Sequence, residues 1–522
     1  MNTRVTRGDI REAFPDPATA TVTHNPTFEA LRAFARHDET TTEYGSPRYV
    51  SEQKSRSADR TKNRIDDDFS DAGWAAIEEA LAAAEERELV CLDRQVGRHP
   101  ETTFTCRLFV PREYARIALA WGKLLEPAPD IEEPDFQTLQ LPDWAEQAGH
   151  ERRIRVLPED GVTFVLGSDY TGEAKKSFLR LFMYRAKELG GLGIHAGVKR
   201  VSIAANGADE RGTTAEPDDP ETVDLRTVGQ AFLGLSATGK STLTGHGCWL
   251  DPPEGAEMLQ DDVCALLPDG QVTGSEGAGL YIKTDSLDPG EQPSLYRAAT
   301  HETAVLENVH AADDGRVDFD DTDLTANGRA VVLREHLDSA ADDIDIASVD
   351  QVFFITRNPL MPPVARLNPR QAAAAFMLGE SIQTSAGNPD AAGEPIRVVG
   401  TNPFIIGPEG EEGNRFYELV AANDIECFLL NTGHVGPDKA DIGVRESVNI
   451  LVAAARDDIA WHHDSTFGFE LPESMPGMDI DAFYPPHHYD DFEAELAALR
   501  DERRTHLEAF ETLDASIKDA VY

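Results

Sequence analysis

Residues 234–241 read Gly-Leu-Ser-Ala-Thr-Gly-Lys-Ser, an uninterrupted G-x-x-x-x-G-K-[ST] phosphate loop. Each position has a chemical task. Gly234 and Gly239 let the backbone curl so that the amides of Leu235, Ser236, Ala237 and Thr238, together with a helix N-terminus, point at phosphate oxygens. Lys240 reaches the terminal phosphates, and the Ser241 hydroxyl can ligate Mg²⁺. A ligand that uses all of these groups is a nucleoside triphosphate. Further on, Met258-Leu-Gln-Asp261-Asp262-Val puts two carboxylates at a strand tip, where nucleoside triphosphatases hold a divalent ion,. Upstream lie Tyr170-Thr-Gly-Glu173-Ala-Lys175-Lys176, two adjacent lysines in a chain that has only 11, and His195 in Gly-Ile-His-Ala-Gly.

The elements that position these residues can be read from pattern. Thr227-Val-Gly-Gln-Ala-Phe-Leu-Gly is a strand entering the loop, and Ser241-Thr-Leu-Thr opens a helix. Ser70 caps a helix with apolar residues at helical spacing through Leu81. Leu89–Leu92 and Thr103–Val110 read as strands, as do Gln351–Thr356 and Glu426–Asn431. From Tyr489 to Thr512 an amphipathic helix turns Phe492, Leu496, Leu499, Leu507 and Phe510 inward. The first 40 or so residues are polar and read as partly mobile, and 206–220, rich in Gly, Pro and acid, as an exposed loop near a seam. The expected fold is mixed α/β with two domains, 1–225 and 226–522.

The charge excludes several partners. Lys plus Arg number 48 against 94 Asp plus Glu, a net charge of −46 spread over the whole length. Nucleic acid and anionic membrane are poor partners for such a surface. Molar salt suits it, because a Debye length of about 3 Å screens the self-repulsion while carboxylates keep the protein hydrated. The five cysteines (Cys91, Cys106, Cys248, Cys264, Cys427) lack C-x-x-C spacing, which argues against a disulfide framework or zinc site and for a reducing cytoplasm,. No apolar run approaches the ~18 residues of a spanning helix.

As an ordered set these pieces resemble the ATP-dependent phosphoenolpyruvate carboxykinases. That family carries Tyr-x-Gly-Glu-x-Lys-Lys, a histidine nineteen residues after the second lysine (here 195 − 176 = 19), Gly-Leu-Ser-x-Thr-Gly-Lys, an Asp-Asp pair and Pro-Pro-Val-x-Arg-Leu, matched by Pro362–Leu367. Leu306-Glu-Asn-Val, Asp318–Asp321 with Thr325-Ala-Asn327-Gly-Arg329, Asn431-Thr-Gly433 and Leu471–Asp479 also fit, and the likeness runs from about residue 45 to the end. The GTP-dependent branch fits less well, since its loop resembles Ala-Cys-Gly-Lys-Thr-Asn.

The resemblance implies ATP plus oxaloacetate giving phosphoenolpyruvate, ADP and CO₂, a gluconeogenic step, in a monomer or small homo-oligomer whose N-terminal domain faces a mononucleotide-binding C-terminal domain across a cleft. It implies Mn²⁺ held by Lys176, His195 and Asp262, with Lys176 ligating as a neutral amine, and Mg²⁺ at Ser241. Arg56, with Arg48 as the alternative, Tyr170 and Arg366 would grip substrate oxygens, and Arg366 and Arg445 would serve ATP. Departures from the family are Ser55-Arg56-Ser57-Ala58-Asp59-Arg60 in place of Gly-Arg-Ser-Pro-Lys-Asp, Ala-Gly-Val-Lys after His195 in place of Cys-Ser-Ala-Asn, and Asp441 near the place of an adenine-site arginine. An HPr-type protein kinase or a nucleotide sensor would share the loop. The kinase would not need the Tyr170–Lys176 segment or Arg366, and the sensor could dispense with His195.

Overall fold

The structure, a computed structural model, describes residues 10–522 apart from 129–130, 146–150, 206–223, 235–237, 286, 291, 383–394 and 438–439. The expected loop at 206–220 and loop residues Leu235, Ser236 and Ala237 therefore lie outside the described residues. The chain separates into two units, each mixed α/β. One comprises residues 1–185 and 275–338, the other 186–274 and 339–522.

In the first unit an eight-stranded sheet forms the centre. Leu89–Val96 pairs antiparallel with Phe104–Pro111, and Phe136–Leu141 and Val162–Leu166 extend the sheet in parallel. The helix Asp71–Glu85 starts where expected, with the Ser70 hydroxyl accepting from the Gly73 amide. Its Ile77, Ala80 and Ala84 pack on Leu89, Phe109, Leu139 and Phe164. The leading residues are not a loose lead: from residue 10 onward Ile10 and Phe14 join this core, Phe14 against the rings of Phe109 and Phe164. Few but large apolar side chains in a polar stretch suffice to dock it. A second sheet, of five strands, joins Gly279–Lys283, Arg329–Leu333, Val305–Glu307, Pro47–Tyr49 and Thr40–Thr41.

The second unit is built on a ten-stranded sheet. Leu225–Leu233, Gln351–Thr356 and Glu426–Asn431 run parallel side by side; the first is buried from Val228 on, the second throughout and the third from Cys427 on, as strands covered on both faces require,. One face packs against the helices Pro369–Leu378, Glu409–Ala422 and Phe492–Glu508, the other against Val444–Arg456. The C-terminal helix buries Phe492, Leu496, Leu499 and Leu507 as its spacing predicts. Across its inner side Arg503, wholly buried, grips the Glu380 carboxylate through two nitrogens, and Arg397 adds a third contact at 3.2 Å.

The units do not divide at residue 225. In the strand Leu192–Ala204, residues 196–204 pair antiparallel with Leu225–Leu233, so it belongs to the sheet of the phosphate-loop strand. Residues 275–338 return to the first unit, where their strands build the five-stranded sheet. Hydrogen-bond ladders between segments distant in sequence set this partition, and composition carries no trace of them.

Candidate active site

In the second unit the strand Leu225–Leu233 leads into Gly234, and the helix Lys240–Gly245 is capped by Gly239. Gly239 has φ 94°, ψ 8°, left-handed backbone in which a side chain would be strained,. The Thr432 hydroxyl, just past the end of a neighbouring parallel strand, donates to the Thr238 carbonyl at 2.7 Å and so pins the loop's end. Lys240 Nζ lies 2.8 Å from the Asp261 carbonyl and 3.4 Å from His195 Nε2. The Ser241 hydroxyl donates to Asp261 Oδ2 at 3.1 Å.

Asp261 and Asp262 sit between the strands Gly255–Gln260 and Val263–Leu266, both paired with Leu192–Ala204, and this brings His195 Nε2 to 2.9 Å from Asp262 Oδ1. His195 Nδ1 donates to the Thr401 carbonyl at 2.7 Å. Burial, then the Lys240 ammonium, push the imidazole below its ordinary pKa against the pull of Asp262. A neutral ring whose Nδ1–H is committed to a carbonyl presents the Nε2 lone pair beside a carboxylate. The Lys240 ammonium stands beside the ring at 3.4 Å, and an imidazole oriented through its other nitrogen is the usual form of a metal ligand,. The donor set therefore fits a divalent ion, and Ser241 with Asp261 fits the hydroxyl–carboxylate pair that phosphate-loop proteins use for Mg²⁺.

The first unit gathers cations around Tyr170. The segment 52–57 is tied to the start of the helix Thr171–Glu188: the amides of Glu52 and Gln53 donate to Asp169 at 2.7 and 2.9 Å, and the Ser57 amide donates to Glu173. Arg56 is half-buried there; burial lowers its pKa against the opposing Glu173. Arg180, on the same helix, is pushed to about 10 by burial, with Glu173 opposing and Arg56 adding to the fall. Asn327 Nδ2 lies 2.7 Å from the Lys54 carbonyl and 3.2 Å from the Tyr170 hydroxyl, and its Oδ1 accepts from Arg329 at 2.8 Å. Arg329 also lies over the Tyr281 ring at 5.4 Å. Lys175 pairs with Glu276 at 2.9 Å, both buried. Glu173 and Glu276 offset part of this positive charge.

The sequence profile of the phosphoenolpyruvate carboxykinase family, ATP-dependent type, matches residues 27–481. The chain belongs to this family. It is 33% identical over 480 residues to the phosphoenolpyruvate carboxykinase (ATP) of Aeropyrum pernix, covering 90% of this chain and 91% of that protein. Proteins of the same name from Azorhizobium caulinodans and Mesorhizobium japonicum are 30% and 28% identical, each over 84% of this chain and 80% of theirs. Among the described residues no helix is long and apolar enough to cross a membrane.

Within this carboxykinase the structure brings together Lys240, Ser241, His195 and Asp262 in the second unit, and Tyr170, Arg56 and Lys176 on neighbouring segments of the first. Arg366 is the exception. It lies on Val364–Leu367 opposite Phe428, in from the strand end that leads to Thr432. There its Nε donates to Glu470 at 2.7 Å, a further nitrogen stands 3.6 Å from Glu426, and its guanidinium covers Trp461 at 5.1 Å. Those partners occupy the fork expected to grip substrate. Arg329, quoted in the sequence match without a role, is the arginine set beside Tyr170. Arg48 donates to the Val309 carbonyl at 2.7 Å. Arg445 is exposed in the first turn of Val444–Arg456, a helix that starts beside Gly433 because the Ile442 amide donates to the Gly433 carbonyl at 2.8 Å. Asp441 is exposed and pairs with His434 across a short hairpin.

Proposed function

We propose that the second unit binds ATP at residues 234–241 and that the cation cluster of the first unit grips oxaloacetate. The chain is an ATP-dependent phosphoenolpyruvate carboxykinase: oxaloacetate and ATP become phosphoenolpyruvate, ADP and CO₂. The bond to the departing carboxylate breaks, CO₂ leaves, and the resulting enolate oxygen attacks the γ-phosphorus as ADP departs in line.

What supports the assignment of residues is one observation: Lys240, Ser241, His195 and Asp262, far apart in sequence, converge in the second unit with the hydrogen bonds described above. Lys240 offsets charge on the transferring phosphoryl group. Thr401, through the His195 Nδ1–H, holds the ring so that Nε2 faces Asp262. Arg329 and Arg56 orient the substrate carboxylates, and Tyr170, held by Asn327, sits beside the group that leaves,. Mn²⁺ at His195 and Asp262, and Mg²⁺ at Ser241, would supply positive charge to the enolate oxygen and to the phosphates.

A reducing cytoplasm belongs to the same reading, since all five cysteines are buried and unpaired. The decisive assay is ADP formation that depends on oxaloacetate, with Mn²⁺ in molar KCl. Lys240→Ala should lower it by roughly a thousandfold or more while the fold survives. Turnover near that of the parent in a folded variant would remove the nucleotide assignment.

A further inference from the structure

The strand Leu192–Ala204 meets the phosphate-loop helix with alternate side chains. His195 reaches Lys240 at its start. Gly197 is the point of closest approach: a Cβ there would stand 2.0 Å from Thr244 Oγ1 and 2.9 Å from Thr244 Cβ, so the helix lies against bare backbone,. Lys199 is next on that face. It is wholly buried, and its Nζ lies 2.6 Å from the Leu243 carbonyl, 2.7 Å from the His246 carbonyl and 3.4 Å from Cys248 Sγ.

An ammonium has three protons to donate, and three acceptors surround this one. Burying a cation is costly unless its hydrogen bonds are made, so the arrangement is a constructed one. Two of the acceptors are carbonyls at the C-terminal end of the helix Lys240–Gly245, groups that have no partner within the helix itself and that favour a cation through the backbone dipoles,.

We propose that Lys199 is a positioning residue for phosphoryl transfer, fixing the seat of the helix Lys240–Gly245 on the sheet and with it Lys240 and Ser241. The inference rests on the reading of residues 234–241 as the ATP phosphate site. Lys199 touches no reacting atom; it acts through the helix, whose Leu243 also packs in the core with Phe232 and Phe353. Loss of the two carbonyl contacts would let the helix shift and carry Lys240 and Ser241 away from the phosphates, which weakens the grip on ATP.

The experiment compares Lys199→Met, which keeps the stem and removes the donors, with the parent protein and with Lys240→Ala. KM for ATP, KM for oxaloacetate, kcat and the thermal midpoint are measured in molar KCl. A role in seating the helix predicts a rise of roughly tenfold or more in KM for ATP with KM for oxaloacetate within about twofold of the parent. A merely structural role would lower the active fraction and the midpoint and leave both KM values unchanged, which would overturn the proposal. Should Lys199→Met not fold, Lys199→Ala, which removes the donors and the stem, takes its place; KM for ATP within about twofold of the parent in the folded Ala variant overturns it equally. If Lys240→Ala keeps its turnover, the phosphate-site reading falls and this inference with it. If Lys240→Ala loses turnover and the Lys199 variants keep the parent's KM for ATP, the positioning role alone falls.

Discussion

Asn327 Nδ2 lies 3.2 Å from the Tyr170 hydroxyl, although 157 residues separate the two along the chain. The contact joins the segment before the helix Thr171–Glu188 to the strand that carries Arg329. It makes Arg329 a neighbour of the proposed carboxylate site, and Arg366 has its own carboxylates to hold.

Two arginines can thus be told apart by kinetics. Arg329→Lys should keep ATP binding and lose most of the carboxykinase rate, by roughly a hundredfold, because an ammonium cannot reproduce a bidentate fork. Arg366→Lys should stay within a few-fold of the parent in rate and lose at most about 1 kcal/mol of stability, as half-exposed ion pairs do. A rate collapse in Arg366→Lys with Arg329→Lys unaffected would reverse the assignment.

The metal set is tested by titration. His195→Gln and Asp262→Asn are each expected to raise the Mn²⁺ concentration for half-maximal rate by roughly tenfold or more. The same titration on Asp441→Asn should superimpose on the parent. An unchanged Mn²⁺ dependence in both ligand variants would move the ion elsewhere.

Acid stability should depend on Glu380. Burial disfavours its charge, but Arg503 and Arg397 outweigh burial and hold the carboxyl below its ordinary value. Such a group stabilises the fold above the unfolded-state value, near pH 4.3, and the contribution fades as pH falls through the lower folded-state value. Glu380→Gln should therefore cost about 3 kcal/mol at neutral pH, with the gap to the parent narrowing below about pH 4. Urea unfolding at a series of pH values checks this, and a gap independent of pH down to about pH 2 would contradict it.

Salt should act on the whole fold. Raising KCl from about 0.1 M to about 1 M shortens the Debye length from ~10 Å to ~3 Å, which screens the repulsion of a chain at −46,. The thermal midpoint should climb over that interval. A flat or falling midpoint would show that the acidic surface does not govern stability.

Much of the nucleotide side was legible because its chemistry is local. Gly234 to Ser241 are contiguous, and the Asp261-Asp262 pair follows at a strand tip, so spacing alone put them together. The Ser70 cap and the C-terminal helix were equally plain, since periodicity repeats within a few turns. The choice between Arg366 and Arg329 was not legible, because both stand in matching segments and only the fold decides which guanidinium meets Glu470 and which meets Asn327. The roles of Thr401 and Lys199 were hidden for the same reason: one presents a backbone carbonyl to His195, and the other answers backbone carbonyls of the loop helix.

The strand Leu192–Ala204 pairs with Leu225–Leu233 without a break in register from Ala196 opposite Leu233 to Ala204 opposite Leu225. Because side chains alternate, a one-residue insertion or deletion ahead of position 195 would send His195, Gly197 and Lys199 together to the opposite face. A change of chain length inside such a ladder therefore moves every side chain beyond it to the other face. The strand thus acts as a ruler: the imidazole of His195, the bare backbone of Gly197 and the buried Lys199 keep a common phase only while their strand stays in step with Leu225–Leu233.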